Sequence, residues 1–318
     1  MVNEDADDPS AAESEVQYLD AIVRQATETH AILSHWCTGT DTTQASQTTV
    51  THLLPPPCIF TAGGDCGVEV VPVSYAHLHW PGLVVVWLDA HADLNSPSTS
   101  PSAHFHGMPV RTLLGEGPAV LAPLLFTPHE RPMTPGQFVF VGTRDIDPPE
   151  QEYIDRHQMT LIHQSGTDER SAGGRSLAQR LADALAAGRF DAAYIHIDLD
   201  VLDPSVFPCT CCPTAGGLSL ATLLGCVRAV QQAVPHVVGC GLTECCGDPS
   251  SHSRNLAMVV DALVSAMERS PVTCHAEVCA RCDDEVAVLA PTSASATATA
   301  VASAPVPSPA AALSIVKQ

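Results

Sequence analysis

Leu83-Val84-Val85-Val86-Trp87-Leu88 runs directly into Asp89-Ala90-His91-Ala92-Asp93. An unbroken apolar run introduced by Pro81-Gly82 is how a strand buried on both faces of a parallel sheet reads. Three side chains able to ligate a metal then stand at alternate positions. Carboxylates and an imidazole packed this closely beside a buried strand are costly unless a cation neutralises them. The pattern therefore points to a metal site at the strand's carboxyl end.

In open α/β folds, ligands sit outside the carboxyl ends of the strands, so other strands are expected to end in similar residues. Ala193 to Ile197 leads into Asp198-Leu199-Asp200 and then Asp203-Pro204, and Pro235 to Leu242 leads into Thr243-Glu244. Cys58 to Thr61 leads into Ala62-Gly63-Gly64-Asp65, and Gln137 to Gly142 into Thr143-Arg144-Asp145-Ile146-Asp147. Helical periodicity is visible over Glu15 to Leu33, Leu177 to Gly188, Leu220 to Val234 and Asn255 to Met267, with shorter helical starts at Val68 to Val73 and Val110 to Leu114. Strands alternating with such helices predict an α/β fold with a mostly parallel sheet covered on both faces.

The chain has 318 residues and a formal net charge of −21. That charge argues against non-specific binding to nucleic acid or anionic membrane, and suits a cationic substrate or divalent ions. No apolar run reaches the roughly 18 residues of a membrane span, and the acidic start Met1-Val2-Asn3-Glu4-Asp5 is unlike a signal peptide, so a soluble cytoplasmic protein is expected. Residues 1–14 and the Ala/Ser/Thr/Pro-rich tail 285–318 are expected to be disordered, with one domain over 15–284 and a polar loop from Cys37 to Gln47. Thirteen cysteines, an odd number spread over a long chain, read as thiols rather than a disulfide framework. Cys274, His275, Cys279 and Cys282 hint at a zinc knuckle, but a single Cys-x-x-Cys does not complete one.

Taken together, Gly63-Gly64-Asp65, Asp89-Ala90-His91-Ala92-Asp93, His106-Gly107-Met108-Pro109, Gly142 to Asp147, Asp198 to Pro204, Gly216-Gly217-Leu218 and Glu244 resemble the ureohydrolase superfamily, and the arginases within it. The resemblance implies a three-layer α/β/α sandwich and a binuclear Mn²⁺ cluster. It implies hydrolysis of L-arginine to L-ornithine and urea by a metal-activated hydroxide, in a homotrimer or hexamer. It assigns Asp89 and Asp198 as bridging ligands, with Asp93 completing one ion's shell and His91 and Asp200 binding the other. Asp93 would also handle the proton of the attacking group, Glu244 would pair with the substrate guanidinium, and His106 would shuttle a proton to the leaving amine. Asn95, Ser102 and Asp147 fall where arginases read the α-carboxylate and α-amino groups, and the spacing from Asn95 to Pro97 and His106 ranks arginine above agmatine. Other ureohydrolase substrates, a guanidino acid or formiminoglutamate, are the alternatives.

The sequence departs from the family pattern at Cys66, which occupies the place of a metal-binding histidine. A thiolate there is a softer ligand and favours zinc, iron or copper over manganese. His196 shares a strand face with Asp198 and Asp200, and is expected to stand behind the metal ligands, without binding the ion itself, and to support the site with Cys66. Cys66 also opens the reading of a catalytically impaired regulatory relative. Further departures are His104, Cys211-Cys212 and Cys245-Cys246-Gly247.

Overall fold

In the computed structural model, which describes residues 16–38, 58–126, 131–164 and 175–268, six strands form one sheet in the order β1-β6-β5-β2-β3-β4. The strands are β1 (Ile59–Ala62), β2 (Leu83–Leu88), β3 (Phe138–Val141), β4 (Thr160–Ile162), β5 (Ala192–Asp198) and β6 (His236–Thr243). Every pairing between them is parallel, which requires crossover connections. Among the described residues, α2 (Val70–His79) joins β1 to β2, while α3 (Pro109–Leu113) and α4 (Ala122–Leu125) lie between β2 and β3. Then α5 (Pro148–His157) leads to β4, α6 (Leu177–Gly188) to β5 and α7 (Leu220–Ala233) to β6. α1 (Leu19–Thr38) precedes the sheet and α8 (Ser253–Glu268) follows it.

The two outer layers follow from the alternation within the central strands. In β2, Val84, Val86 and Leu88 pack with Leu181 and Leu185 of α6, Leu223, Val227 and Val230 of α7, and Val259 and Leu263 of α8. Leu83, Val85 and Trp87 point the other way, toward Val73 and Ala76 of α2, Val110 and Leu113 of α3, and Tyr153 and Ile154 of α5. All six β2 residues are buried, as the uninterrupted apolar run requires. The α/β fold with a parallel sheet between helical layers agrees with the sequence expectation.

Chain travel reverses between β2 and β5. β2 connects toward β3 on one side of the sheet and β5 toward β6 on the other, so a crevice opens outside the carboxyl ends of this adjacent pair. Asp89 leaves β2 and Asp198 ends β5 at that crevice.

Several boundaries differ from expectation. α1 extends through Thr38, so Cys37 and Thr38 are helical rather than loop, and the rest of the expected loop lies outside the described residues. β4 and α5 had no sequence forecast. The expected disordered segments 1–14 and 285–318, and the cluster from Cys274 to Cys282, also lie outside the described residues.

Candidate active site

Asp89 is the junction of the site. Its Oδ1 accepts the His91 backbone N–H at 2.7 Å and faces His91 Nδ1 at 3.4 Å. Its Oδ2 accepts the Trp87 indole N–H at 3.0 Å and faces His196 Nε2 at 3.8 Å and Cys66 Sγ at 4.0 Å. Asp198 repeats the local turn on β5: Oδ1 accepts the Asp200 N–H at 2.7 Å, leaving Oδ2 3.2 Å from Cys66 Sγ. Asp200 in turn accepts the Ala90 N–H at 3.1 Å, and its other oxygen stands 3.1 Å from His91 Nδ1. Such side-chain-to-backbone bonds two residues along the chain fix each carboxylate before any ligand arrives.

The donors form two main groups that share Asp89. Asp89, His91 and Asp200 are mutually within 4.8 Å, and so are Cys66, Asp89, Asp93 and His196. Cys66, Asp198 and Glu244 make a third, overlapping group. All six residues expected to ligate metal, namely Cys66, Asp89, His91, Asp93, Asp198 and Asp200, are thus brought together at the crevice. His196, expected only behind the ligands, lies among them, with Nε2 3.5 Å from Cys66 Sγ.

Backbone geometry contributes as well. Asp93 and Glu244 both adopt left-handed conformations, with φ of 52° and 60°, which non-glycine residues hold only where the surroundings enforce them. The Asp93 carbonyl accepts the Val110 N–H at 3.1 Å at the start of α3, and the Glu244 N–H donates to Gly64 O at 2.8 Å, extending the β1–β6 pairing. Asp93 Oδ2 and Glu244 Oε1 are buried without a hydrogen-bond partner, two acceptors aimed into the crevice.

Proton affinities reflect this crowding. Burial, reinforced by the Asp89 charge, pushes Asp93, Asp198 and Asp200 above the usual carboxylate range. Burial and neighbouring acids raise Glu244 to about 7. Burial opposes ionisation of Asp89, yet hydrogen bonds from His196 and His91 outweigh it and hold this carboxyl low. Burial likewise opposes charge on His91, but its bonds to Asp200 and Asp89 carry it to about 12. One low carboxylate and one imidazolium among several carboxyls pushed upward leave the site short of positive charge.

The residues expected to meet substrate, Asn95, Ser102, His106, Asp147 and Glu244, line the cleft beside His91, Asp93 and Asp198. Asn95 Nδ2 donates to Asp147 Oδ2 at 2.9 Å, and His106 Nδ1 is 3.8 Å from Glu244 Oε1. The loop from Asn95 to Gly107 is closed at its base by Asn95 N–H to Gly107 O at 3.0 Å.

Three supporting residues were missed in the sequence. Buried Glu150 accepts the Leu94 N–H at 2.8 Å and the Asp147 N–H at 2.9 Å, tying together the loops that carry Asp93, Asn95 and Asp147. The Asp147-x-x-Glu150 spacing ahead of a helix was its available signal. Arg144 donates to five carbonyls, those of Gly142, Asp200, Val201, Thr214 and Ala215. Glu69, fully buried between apolar neighbours, stands 3.6 Å from His196 Nδ1. A lone carboxylate inside Val68-Glu69-Val70-Val71 was its mark in the sequence.

One expectation is corrected. Cys211 and Cys246 form a disulfide, whereas the sequence read all the cysteines as thiols. They follow adjacent parallel strands β5 and β6, whose loops leave the sheet side by side, and sequence separation concealed this neighbourhood. Cys58, Cys66, Cys209, Cys212, Cys226, Cys240 and Cys245 are not in disulfides.

Comparisons agree with this architecture. The family model described as Arginase family matches residues 11–267. An arginase of Staphylococcus aureus is 36% identical over 157 residues, covering 49% of this chain and 50% of the relative. Human mitochondrial arginase-2 is 33% identical over 160 residues, covering 50% of this chain and 45% of the relative. The chain thus spans about half the length of these relatives. Among solved structures, Entamoeba histolytica arginase in complex with L-ornithine superposes with TM-score 0.64 at 21% identity, covering 79% of this chain and 78% of that one. Bacillus subtilis formimidoylglutamase gives 0.57 at 22% identity, over 80% and 68% of the two chains, and shows the same fold. With the family model matching residues 11–267, most of the chain, this protein belongs to the arginase family.

Proposed function

We propose that the protein is a metal-dependent hydrolase that cleaves the guanidino group of L-arginine, giving L-ornithine and urea. The observation that carries the reading is the pair of ligand groups sharing Asp89, with the cleft residues arrayed above them. The donors fit divalent cations, since buried Asp93 Oδ2 and Glu244 Oε1 have no hydrogen-bond partner and the surrounding carboxylates lack compensating charge. Asp89, His91 and Asp200 would hold one ion, an oxygen-rich set suited to Mn²⁺, and Cys66, Asp93 and Asp198 with the shared Asp89 would hold the other. Bound there, two such ions supply Lewis acidity and a water acidified enough to attack near neutral pH.

The chain's own groups supply the rest. Glu244 Oε1 is free to accept guanidinium N–H groups in a charge-assisted pair, which turns the planar carbon toward the cluster. Asp93, its carboxyl raised by burial, is suited to take a proton and release it again. His106 lies 3.8 Å from Glu244, beside the guanidinium that Glu244 would hold, and burial lowers its proton affinity, so a proton it carries is readily passed to the departing amine. The Asn95–Asp147 pair and Ser102 present polar groups on the cleft wall where an α-amino acid head would lie, which favours arginine over agmatine. The resemblance also carries a homotrimer or hexamer, which sedimentation analysis tests.

The deciding experiment strips the full chain of metal, reloads it with Mn²⁺, and measures urea release from arginine and agmatine. Turnover of arginine with little from agmatine supports the reading. Metal uptake without turnover of either supports the impaired regulatory relative that Cys66 favours, and Cys66→His then tells whether that residue is the cause.

A further inference from the structure

Within the reading that the two ligand groups bind divalent ions, we propose that the ion assigned above to Cys66, Asp89, Asp93 and Asp198 takes His196 in place of Asp198, so that Cys66, His196, Asp89 and Asp93 form a thiolate–imidazole–carboxylate site of zinc type, with Glu69 as the positioning residue behind His196. The cluster then holds two chemically different positions: a soft one here, and a hard one at Asp89, His91 and Asp200.

The His196 ring is held on three sides. It is fully buried on β5 and stacks on Trp87 with centroids 3.5 Å apart and planes 19° from parallel. Nε2 points to the cluster, 3.5 Å from Cys66 Sγ and 3.8 Å from Asp89 Oδ2. Nδ1 points away from it, 3.6 Å from Glu69 Oε2. One ring nitrogen toward the ligand group and the other toward a buried carboxylate is the arrangement of a metal-ligating histidine, whose second N–H is directed at a carboxylate that fixes its tautomer.

Besides His196, the buried Tyr194 phenol is the other polar group beside Glu69, and it carries no positive charge. Glu69 is completely buried, and neither oxygen makes a hydrogen bond of normal geometry, nor does His196 Nδ1. Room for its carboxylate exists only because β6 carries glycine beside it: a Cβ at Gly241 would fall 2.0 Å from Glu69 Oε2. A buried, unpartnered carboxylate is expensive, and a cation-bound imidazole in front of it supplies the missing positive partner.

The separations also match the ion type. A tetrahedral ion about 2.0–2.3 Å from nitrogen, oxygen and sulfur donors places them roughly 3.3–3.8 Å apart. Cys66 to His196 at 3.5 Å and His196 to Asp89 at 3.8 Å fall in that range, and Cys66 to Asp89 at 4.0 Å lies just beyond it. An octahedral ion with ligands at about 2.1 Å sets edges of about 3.0 Å, close to the 3.1 Å from His91 Nδ1 to Asp200. On binding, the Cys66 thiol proton leaves to solvent, and the Glu69-facing N–H keeps Nε2 as the donor lone pair.

Cobalt(II) is the probe, because it reports its ligands optically. Metal-stripped full-length protein titrated with Co²⁺ alone is expected to show a thiolate-to-cobalt charge-transfer band and intense tetrahedral visible bands. Both Cys66→Ser and Cys66→His should abolish the charge-transfer band, and Cys66→His should retain metal uptake. Glu69→Gln should keep the band at saturation while weakening Co²⁺ affinity by about 10- to 100-fold. Absence of the band in the wild-type protein, or its persistence in both Cys66 variants, overturns the proposal. The band does not depend on turnover: its presence without urea release leaves this inference standing and removes the arginine reading, and urea release without the band does the reverse.

Discussion

At the scale of single residues, the site separates groups that meet substrate from groups that hold those in place. In the proposed reading Glu244 is of the first kind, with one carboxylate oxygen buried at the cleft and making no hydrogen bond. Glu244→Gln keeps the shape but removes the charge that a guanidinium would meet. Charge-assisted hydrogen bonds are worth about 1.5–3 kcal/mol, so kcat/KM for arginine is expected to fall about 10- to 100-fold with metal content unchanged. Steady-state assays with parallel metal analysis check this, and an unaltered kcat/KM would remove Glu244 from guanidinium recognition. Glu150 is of the second kind, and burial raises it to about 7 despite two backbone N–H donors. Its folded pKa thus lies above the unfolded value near 4.5, so the folded chain binds the extra proton. Its stabilising effect is complete below about pH 4.5 and is lost as pH rises toward 7, on the order of 3 kcal/mol. Urea unfolding of metal-free wild type and Glu150→Gln at pH 5 and 7.5 should therefore show a shallower decline with pH in the variant. Parallel slopes would mean that Glu150 does not titrate in this interval. The contrast between Glu244 and Glu150 also marks what the sequence disclosed. Residues at strand ends were readable because an abrupt change from apolar to acidic announces them. Glu150, Arg144 and Glu69 were not, because their partners are backbone groups or side chains brought near only by the sheet.

At the scale of elements, legibility followed hydrophobic contrast. β2, β5 and β6 are almost wholly buried and read as apolar runs. β4 has three residues at the sheet edge with one exposed, and α5 opens with two prolines and buries only Glu150, Tyr153 and Ile154, so neither had a periodic stripe to detect. Parallel order hides contacts in the same way. The loops after β5 and β6 meet only because their strands pair, and the Cys211–Cys246 disulfide joins them across a separation of 35 residues. Closing a loop of that size stabilises by about 4 kcal/mol in the chain-entropy account. Reductant is therefore expected to lower the unfolding midpoint of wild type, and Cys211→Ser/Cys246→Ser should start from the lowered value and not respond. Because the bridge anchors the segment immediately after Glu244, KM for arginine should rise in both cases. Identical midpoints with and without reductant would show that the clamp contributes nothing to the folded state.

For the whole molecule, the decisive quantity is charge. The chain carries −21 overall, and its sheet directs Asp89, Asp93, Asp198, Asp200 and Glu244 into one crevice between β2 and β5. A fold of this kind, left without cations, confines like charges that the unfolded chain would separate, as the upward displacement of Asp93, Asp198 and Asp200 by burial shows. Divalent ions relieve that confinement only in the folded state, where donors far apart in sequence meet. Stabilisation should therefore grow with free metal as RT ln(1 + [M]/Kd), about 2.7 kcal/mol per site at a hundredfold excess over Kd, or on the order of 5–10 °C in midpoint. Acid opposes the effect, because ligands must lose their protons to bind, so the increment should be large near pH 7.5 and shrink toward pH 5.5. Thermal unfolding with Mn²⁺ or chelator at both pH values measures it, with sodium chloride at matched ionic strength as the control for simple screening. If salt alone reproduces the Mn²⁺ shift, the acidic crevice is only a screened surface and the assignment of a metal centre fails. If the shift is specific and vanishes in Asp89→Asn, the junction carboxylate shared by both ligand groups is what couples the ions to the fold.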